Sequence, residues 1–298
     1  MSAGAPSAPA TPPGPASPRL LAISDLHVDH PGNLDALKAL PPHPDDWLLV
    51  AGDVGDRPAT LDQAFEVLTD RFEKVFWVPG NHELWVRDGG PRGEDRYSLL
   101  LERCRRHGVL SPEDPPARWT GPGGPATIVP LFCLYDFSFR PDDVSREAVI
   151  DWAGEHGIRS TDDHWLHPDP WPSMDAWCAA RHRIAEERLS SVEGPIVLLS
   201  HYPLRRDLVR LFRIPRFSPW CGTRRTEDWH RRYPIEVVVT GHLHMRATDW
   251  RDGVRFEEVA LGYPRHWKKE KGVEGYLRQI LPTPPGLDPS ATSPIWHM

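Results

Sequence analysis

Leu20-Leu21-Ala22-Ile23-Ser24-Asp25-Leu26-His27 decides the fold: an apolar run of single-strand length ending on a carboxylate and an imidazole. The construction recurs along the chain. Trp47-Leu48-Leu49-Val50-Ala51 runs into Gly52-Asp53, and Val75-Phe76-Trp77-Val78 runs through Pro79-Gly80 into Asn81-His82-Glu83. Ile196-Val197-Leu198-Leu199-Ser200 ends at His201, and Ile235-Glu236-Val237-Val238-Val239-Thr240 ends at Gly241-His242-Leu243-His244. Open α/β sheets build their sites at the carboxyl ends of buried strands. Five such tips in one chain therefore predict an α/β fold with a preassembled centre.

Read as ligands, the tips supply Asp25, His27, Asp53, Asn81, His201, His242 and His244, an oxygen and imidazole set with no thiolate. Such a set suits Mn, Fe or Zn, whereas Mg and Ca prefer all-oxygen shells. Seven residues are too many for one tetrahedral ion and match two ions sharing a carboxylate. Asp53 is the natural bridge. One ion then takes Asp25, His27, His244 and Asp53, and the other takes Asp53, Asn81, His201 and His242. Residues i and i+2 of a strand share a face. Asp25 and His27 are thus expected to point together, as are His242 and His244, the latter serving different ions of a pair roughly 3.5 Å apart. Any one of these short words is common by chance, and a lone His at a strand end is ordinarily a hydrogen-bonded structural residue. Their joint occurrence carries the reading.

The 298 residues suffice for one large domain or two small ones, with an ample core. No apolar run approaches the roughly 20 residues of a membrane helix, and no basic segment precedes an apolar one as in a secretory signal. Cys104, Cys133, Cys178 and Cys221 are dispersed, which predicts reduced thiols in a cytoplasm. The net charge of −7 argues against general nucleic-acid binding.

Residues 1–18 are Ala, Pro, Ser and Gly with little to bury, and a disordered tail is predicted there. Residues 281–298 are also Pro-rich and are expected to be loosely attached, leaving a main domain over 19–280. Helices are predicted over Asn33 to Leu40 with Asn33 as cap, Leu61 to Phe72, Tyr97 to His107 and Ser173 to Val192. A stretch rich in Trp, Asp and His, from Phe132 to Pro172, interrupts the strand rhythm. It reads either as an insertion capping the site or as a surface excursion with its own small core.

Asp25-x-His27, Gly52-Asp53-x-x-Asp56, Gly80-Asn81-His82-Glu83, Ser200-His201 and Gly241-His242-x-His244 resemble the motifs of the calcineurin-like metallophosphoesterase superfamily. The resemblance implies a four-layer αββα sandwich over about residues 19 to 265, with two ions, Fe and Mn, at the strand tips. It implies phosphodiester hydrolysis by a hydroxide bridging the ions, with His82 donating to the phosphate or the leaving oxygen. Asp56 either orients a metal ligand or is a turn residue.

Substrate choice must come from the remainder of the chain. Arg205 to Arg232 holds nine arginines against three acids, in a protein whose net charge is −7. Such a stretch steers anionic partners, and Arg205, Arg206, Arg210, Arg224 and Arg225 are candidates for a partner surface; the alternative is a solvated helix with internal ion pairs. The segment Phe217 to His230, then Asp252 to Val259 and Gly262-Tyr263-Pro264-Arg265, looks like an actinobacterial subgroup of the superfamily. That subgroup includes the phosphopantetheinyl hydrolase that strips 4′-phosphopantetheine from carrier proteins, which implies an acidic carrier protein as substrate. A nucleotide-type phosphodiesterase or phosphomonoesterase would use the same metals. A non-catalytic scaffold of the same fold is disfavoured, because His82 and every expected ligand are present.

Overall fold

The computed structural model describes residues 17–87 and 89–297. Most of the tail predicted over 1–18 lies outside the described residues. The first sheet is built from β1 (Leu20–Ile23), β2 (His43–Val50), β3 (Phe72–Trp77) and β10 (Arg278–Leu281), in the order β10-β1-β2-β3. The second holds β4 (Ala117–Trp119), β5 (Ala126–Pro130), β6 (Ile196–Leu199), β7 (Ile235–Thr240), β8 (Arg246–Arg251), β9 (Val254–Val259) and β11 (Ile295–Trp296). Its order is β11-β8-β9-β7-β6-β5-β4. β1, β2 and β3 are mutually parallel, as are β5, β6, β7 and β9, so each set ends its strands on one side.

Side-chain alternation sets the layers. Leu20, Ala22, Leu49 and Phe76 face Ile128, Val197, Leu199, Val237 and Val239 in a core between the sheets. Their neighbours Leu21, Ile23, Leu48 and Val50 point the other way, onto α1 (Asn33–Lys38), α2 (Pro58–Arg71) and the helix at Gly93–His107. Val129, Ile196, Leu198 and Val238 pack on Ala185, Leu189 and Trp229 of the helices over the second sheet. Both faces of both sheets are thus buried, which is why the strands read as continuous apolar runs. Truncating one of these side chains, Leu49 for instance, costs about 2–5 kcal/mol. The four-layer αββα sandwich is the observed fold.

The helix over Gly93–His107, here α4 after the short α3 (Asn81–Leu84), begins four residues before the predicted Tyr97 and stops at Gly108 (φ 72°). α5 (Val149–Gly154) and α6 (Asp162–Trp165) lie in the 132–172 stretch. That stretch does two things: Phe132, Leu134, Tyr135 and Val149 join the main core, while Arg159 to Asp162 border the cleft described below. α7 (Met174–Ser190) is capped by Ser173, whose Oγ accepts from the Ala176 amide, and α8 (Trp229–Arg232) closes the arginine-rich segment. Asn33 is not a cap: its side-chain amide donates to the carbonyls of Leu26 and Gly262.

The Pro-rich end departs from the expectation of loose attachment. Leu281 pairs with Leu20 of β1, Ile295 pairs with Thr248 of β8, and His297 Nε2 lies 2.7 Å from Thr248 Oγ1. Proline limits the segment between these anchors without preventing the pairings on either side. No helix among the described residues is long and apolar enough to cross a membrane. All four cysteines are buried and free.

Candidate metal centre

The tips are not extended. β1 stops at Ile23, and Asp25 (φ 53°) and His27 (φ 43°) take the left-handed conformation. Asp53 (φ 53°), His242 (φ 73°) and His244 (φ 52°) do the same. The side chains of Asp25 and His27 therefore converge for a reason other than strand alternation. Left-handed non-glycine residues cost on the order of 1–3 kcal/mol each and persist only where the surroundings over-determine them. Here the tips go on pairing past the strand ends: Asp25 N–H to Gly52 O (2.9 Å), His27 N–H to Asp53 O (3.0 Å), Gly241 N–H to His201 O (2.9 Å) and Gly262 N–H to Asp25 O (2.9 Å). Ser24 bridges Ala260, so the two sheets are stitched together beside the site.

Glu83 fastens two of the loops. Its buried carboxylate accepts from the amides of Gly80 (2.9 Å), Asp53 (3.1 Å) and Val54 (2.6 Å). Glycine is required where these loops meet. A Cβ on Gly52 (φ 80°) would sit 2.6 Å from His201 Nδ1, and one on Gly80 would collide with Asp53.

Candidate ligand atoms of Asp25, His27, Asp53 and His244 lie within 4.8 Å of one another, as do those of Asp53, His201 and His242. Asp53 is common to both groups. Asn81 joins the second, its Oδ1 3.2 Å from His201 Nε2. All seven residues expected at the tips are therefore in one place. Nitrogen lone pairs are presented inward. His201 donates Nδ1–H to the Ala51 carbonyl (2.7 Å), which leaves Nε2 facing Asp53 at 3.6 Å. His242 Nε2 is buried without a hydrogen-bond partner, and the Nε2 atoms of His27 and His244 face each other at 3.0 Å.

Burial lowers the His201 pKa to about 4 and pushes those of His27 and His242 well below the usual imidazole range, so these rings are neutral. Asp53 is pushed well above the carboxylate range by burial, then by Glu83 and Asp25. Burial also acts to raise Asp25, but His244, His201 and His27 outweigh it and hold that carboxyl low. Converging neutral imidazoles and carboxylates, one carboxylate shared, fit two transition-metal ions.

His82 stands beside both groups. Its Nδ1–H donates to Asp56 Oδ1 (2.6 Å), its ring packs on Trp85 (centroids 3.7 Å apart), and Nε2 lies 3.8 Å from Asp53 Oδ2. Asp56 also pairs with Arg87 (3.1 Å). Burial raises the Asp56 pKa, but the His82 hydrogen bond and then the two charges more than reverse it, so the carboxyl sits below its ordinary value. Among the described residues the Asp56 carboxylate is bonded to His82 and Arg87 and to none of the seven tip residues, so it orients His82 and not an expected metal ligand.

Sequence reasoning gave no role to Asp162. It is buried, and its Oδ1 accepts from Asn81 Nδ2 (3.0 Å) and Trp85 Nε1 (2.7 Å). One carboxylate from the 132–172 stretch thereby turns the Asn81 oxygen toward His201 and fixes the indole behind His82. His266 is a second omission, with Nδ1 3.2 Å from His244 Nδ1. Gly80-Asn81-His82-Glu83 was the only available signal for Glu83, and neither Asp162 nor His266 stands in a recognisable motif.

The cluster opens into a cleft of about 750 Å³ that reaches Asn81, His82, His242, Tyr263 and the segment Arg210–Ile214. Only the part of the arginine-rich stretch from Arg210 to Phe217 contributes to its lining. Arg205 pairs with Asp207 (2.8 Å), Arg206 faces Asp142 (3.9 Å), Arg224 pairs with Asp142 and Arg225 with Asp136 (3.3 Å), and none of these four lines the cleft. Arg210 does line it, but both its terminal nitrogens are bound to Asp249 at 2.6 Å. The structure matches neither reading as stated: the stretch is not one helix but short turns, and of these five arginines only Arg205 pairs within it, the other four facing Asp136, Asp142 and Asp249 from elsewhere in the chain. Trp220, Trp229 and Cys221 are fully buried.

Two abutting carboxylate and imidazole groups at the tips of a double sheet, with a histidine alongside, are the architecture of a metal-dependent phosphoric ester hydrolase. Residues 18–246 match the calcineurin-like phosphoesterase family, and the chain belongs to it. It is 47% identical over 276 residues to the [acyl-carrier-protein] phosphodiesterase PptH of Mycobacterium tuberculosis, covering 90% of this chain and 85% of that protein. The crystal structure of M. tuberculosis phosphopantetheinyl hydrolase (PptH) superposes with a TM-score of 0.86 over 90% of this chain and 98% of the other. An uncharacterised protein, L509, of Acanthamoeba polyphaga mimivirus is 22% identical over 273 residues, 81% of this chain and 90% of its own length.

Proposed function

We propose that this protein hydrolyses the phosphodiester joining 4′-phosphopantetheine to the serine of an acyl or peptidyl carrier protein, in the cytoplasm. The observation carrying the reading is the 47% identity to PptH across nine-tenths of the chain, with both groups of candidate ligands assembled. Asp25, His27, His244 and Asp53 would hold one ion, and Asp53, Asn81, His201 and His242 the other; Mn and Fe are the expected pair, with Zn as an alternative. Bound there, the ions supply Lewis acidity to the phosphoryl oxygens and an activated water.

The chain's own residues do the rest. Asp53 and Glu83 hold the second and third tips in register through their amide hydrogen bonds. His82, fixed by Asp56 and Trp85, borders the cleft and, with a proton on each ring nitrogen, gives the Nε2 proton to the departing serine oxygen. Water adds to phosphorus as the bond from phosphorus to the serine oxygen breaks. The products are 4′-phosphopantetheine and the apo carrier. The test is intact mass: Mn-loaded protein incubated with a holo carrier should release the arm. Retention of the arm, with turnover of a model diester intact, would sink the assignment.

A further inference from the structure

Resting on that reading, we infer that the carrier docks on the exposed segment Phe212–Ile214 together with Arg159 and Arg265, and not on the paired arginines of the same stretch. The first observation is exposure. Phe212 is 81% exposed and Ile214 42%, the former the most exposed large hydrophobic side chain among the described residues. Both border the cleft that holds Asn81, His82 and His242. A contiguous apolar pair at the mouth of a polar site is unfavourable in water and marks an interaction surface.

The second is charge. Arg159, Arg213 and Arg265 line the same cleft, are exposed, and form no ion pair among the described residues. Every arginine earlier singled out as a partner surface faces a carboxylate of its own chain. An arginine already neutralised offers an acidic partner little, whereas an unpaired one adds steering and complementarity. Arginine and aromatic side chains are also what protein interfaces concentrate at their cores.

The third is the chemistry of the substrate. Only one oxygen separates the scissile phosphorus from the serine Cβ, so the carrier's main chain cannot stay far from the reacting centre. Part of the cleft's rim must therefore touch the carrier, the remainder facing the arm. Phe212, with an arginine beside it, suits the acidic face that surrounds the modified serine.

The test compares two substrates in the Mn-loaded, full-length enzyme. Phe212→Ala combined with Arg213→Glu should lower kcat/KM toward a holo acyl carrier protein by about tenfold or more relative to its effect on bis(p-nitrophenyl) phosphate, chiefly through KM. Arg159→Glu should act in the same direction, which guards against local misfolding in the loop variant. Equal effects on the two substrates, or undiminished cleavage of the holo carrier, overturn the docking surface while wild-type cleavage leaves the assigned reaction standing. A wild-type enzyme that never releases the arm removes the reaction, and the docking surface with it.

Discussion

The strand tips and the arginine-rich stretch are both conspicuous in sequence, and they fare differently. Each tip is a short word at the end of an apolar strand, so reading the word places the side chain at one end of a sheet. The tips' seven candidate ligands meet as expected. An arginine's role is set by whichever carboxylate the fold brings to it, and Asp136, Asp142 and Asp249 come from outside the stretch. A short word at a strand end therefore specifies where side chains converge far better than local composition specifies a surface.

Removing the shared group should break the contrast at its strong end. Asp53→Ala is expected to abolish phosphodiester turnover and lower metal content in both sites, measured by elemental analysis of the purified protein. His82→Ala should leave metal content near wild type and reduce turnover by about 10²–10⁴-fold. A variant that lost its metals instead would reassign His82 to the ligand set. Asp162→Ala and Asp56→Asn should each cost roughly 10–100-fold, as outer partners of site groups do; the Asp162 variant should weaken metal retention under chelator titration, the Asp56 variant should not.

Acid provides a milder probe. Burial holds His27, His201 and His242 below their unfolded value of about 6.5. Their contribution is fully present above that pH. It is lost as pH falls, because the unfolded chain then takes up protons that the folded one refuses, until His201 itself titrates near 4. The melting temperature of metal-stripped protein should therefore fall between about pH 6.5 and 4, and a flat profile there would mean that these rings are solvated. At the weak end, Arg224→Glu and Arg205→Glu disturb partly exposed ion pairs worth about 1 kcal/mol or less. They should change carrier cleavage hardly at all, and a loss matching the Phe212 and Arg213 variant would return the partner surface to its first assignment.

What was legible follows the same division. Strands buried on both faces announce themselves as apolar runs, and Gly241-His242-Leu243-His244 announces its candidate ligands. The left-handed backbone at Asp25 and Asp53 was not legible, because nothing in an Asp-x-His word distinguishes an extended pair from a bent one. Nor was Glu83's grip on the Asp53 and Val54 amides, which joins loops thirty positions apart. Asp162 was hidden among other acids, since its partner Asn81 is far away in the chain. The C-terminal pairings involve too few residues for any periodicity to show.

The hydrogen bonds of Asp162 bear on how such enzymes can diversify. A segment whose own carboxylate orients an active-site amide cannot be exchanged as a cassette, however much it looks like an insertion. Trimming or swapping residues 159–165 would remove an internal part of the machinery. Lineages that vary this segment must keep an acceptor for Asn81 and Trp85, or find another way to hold them.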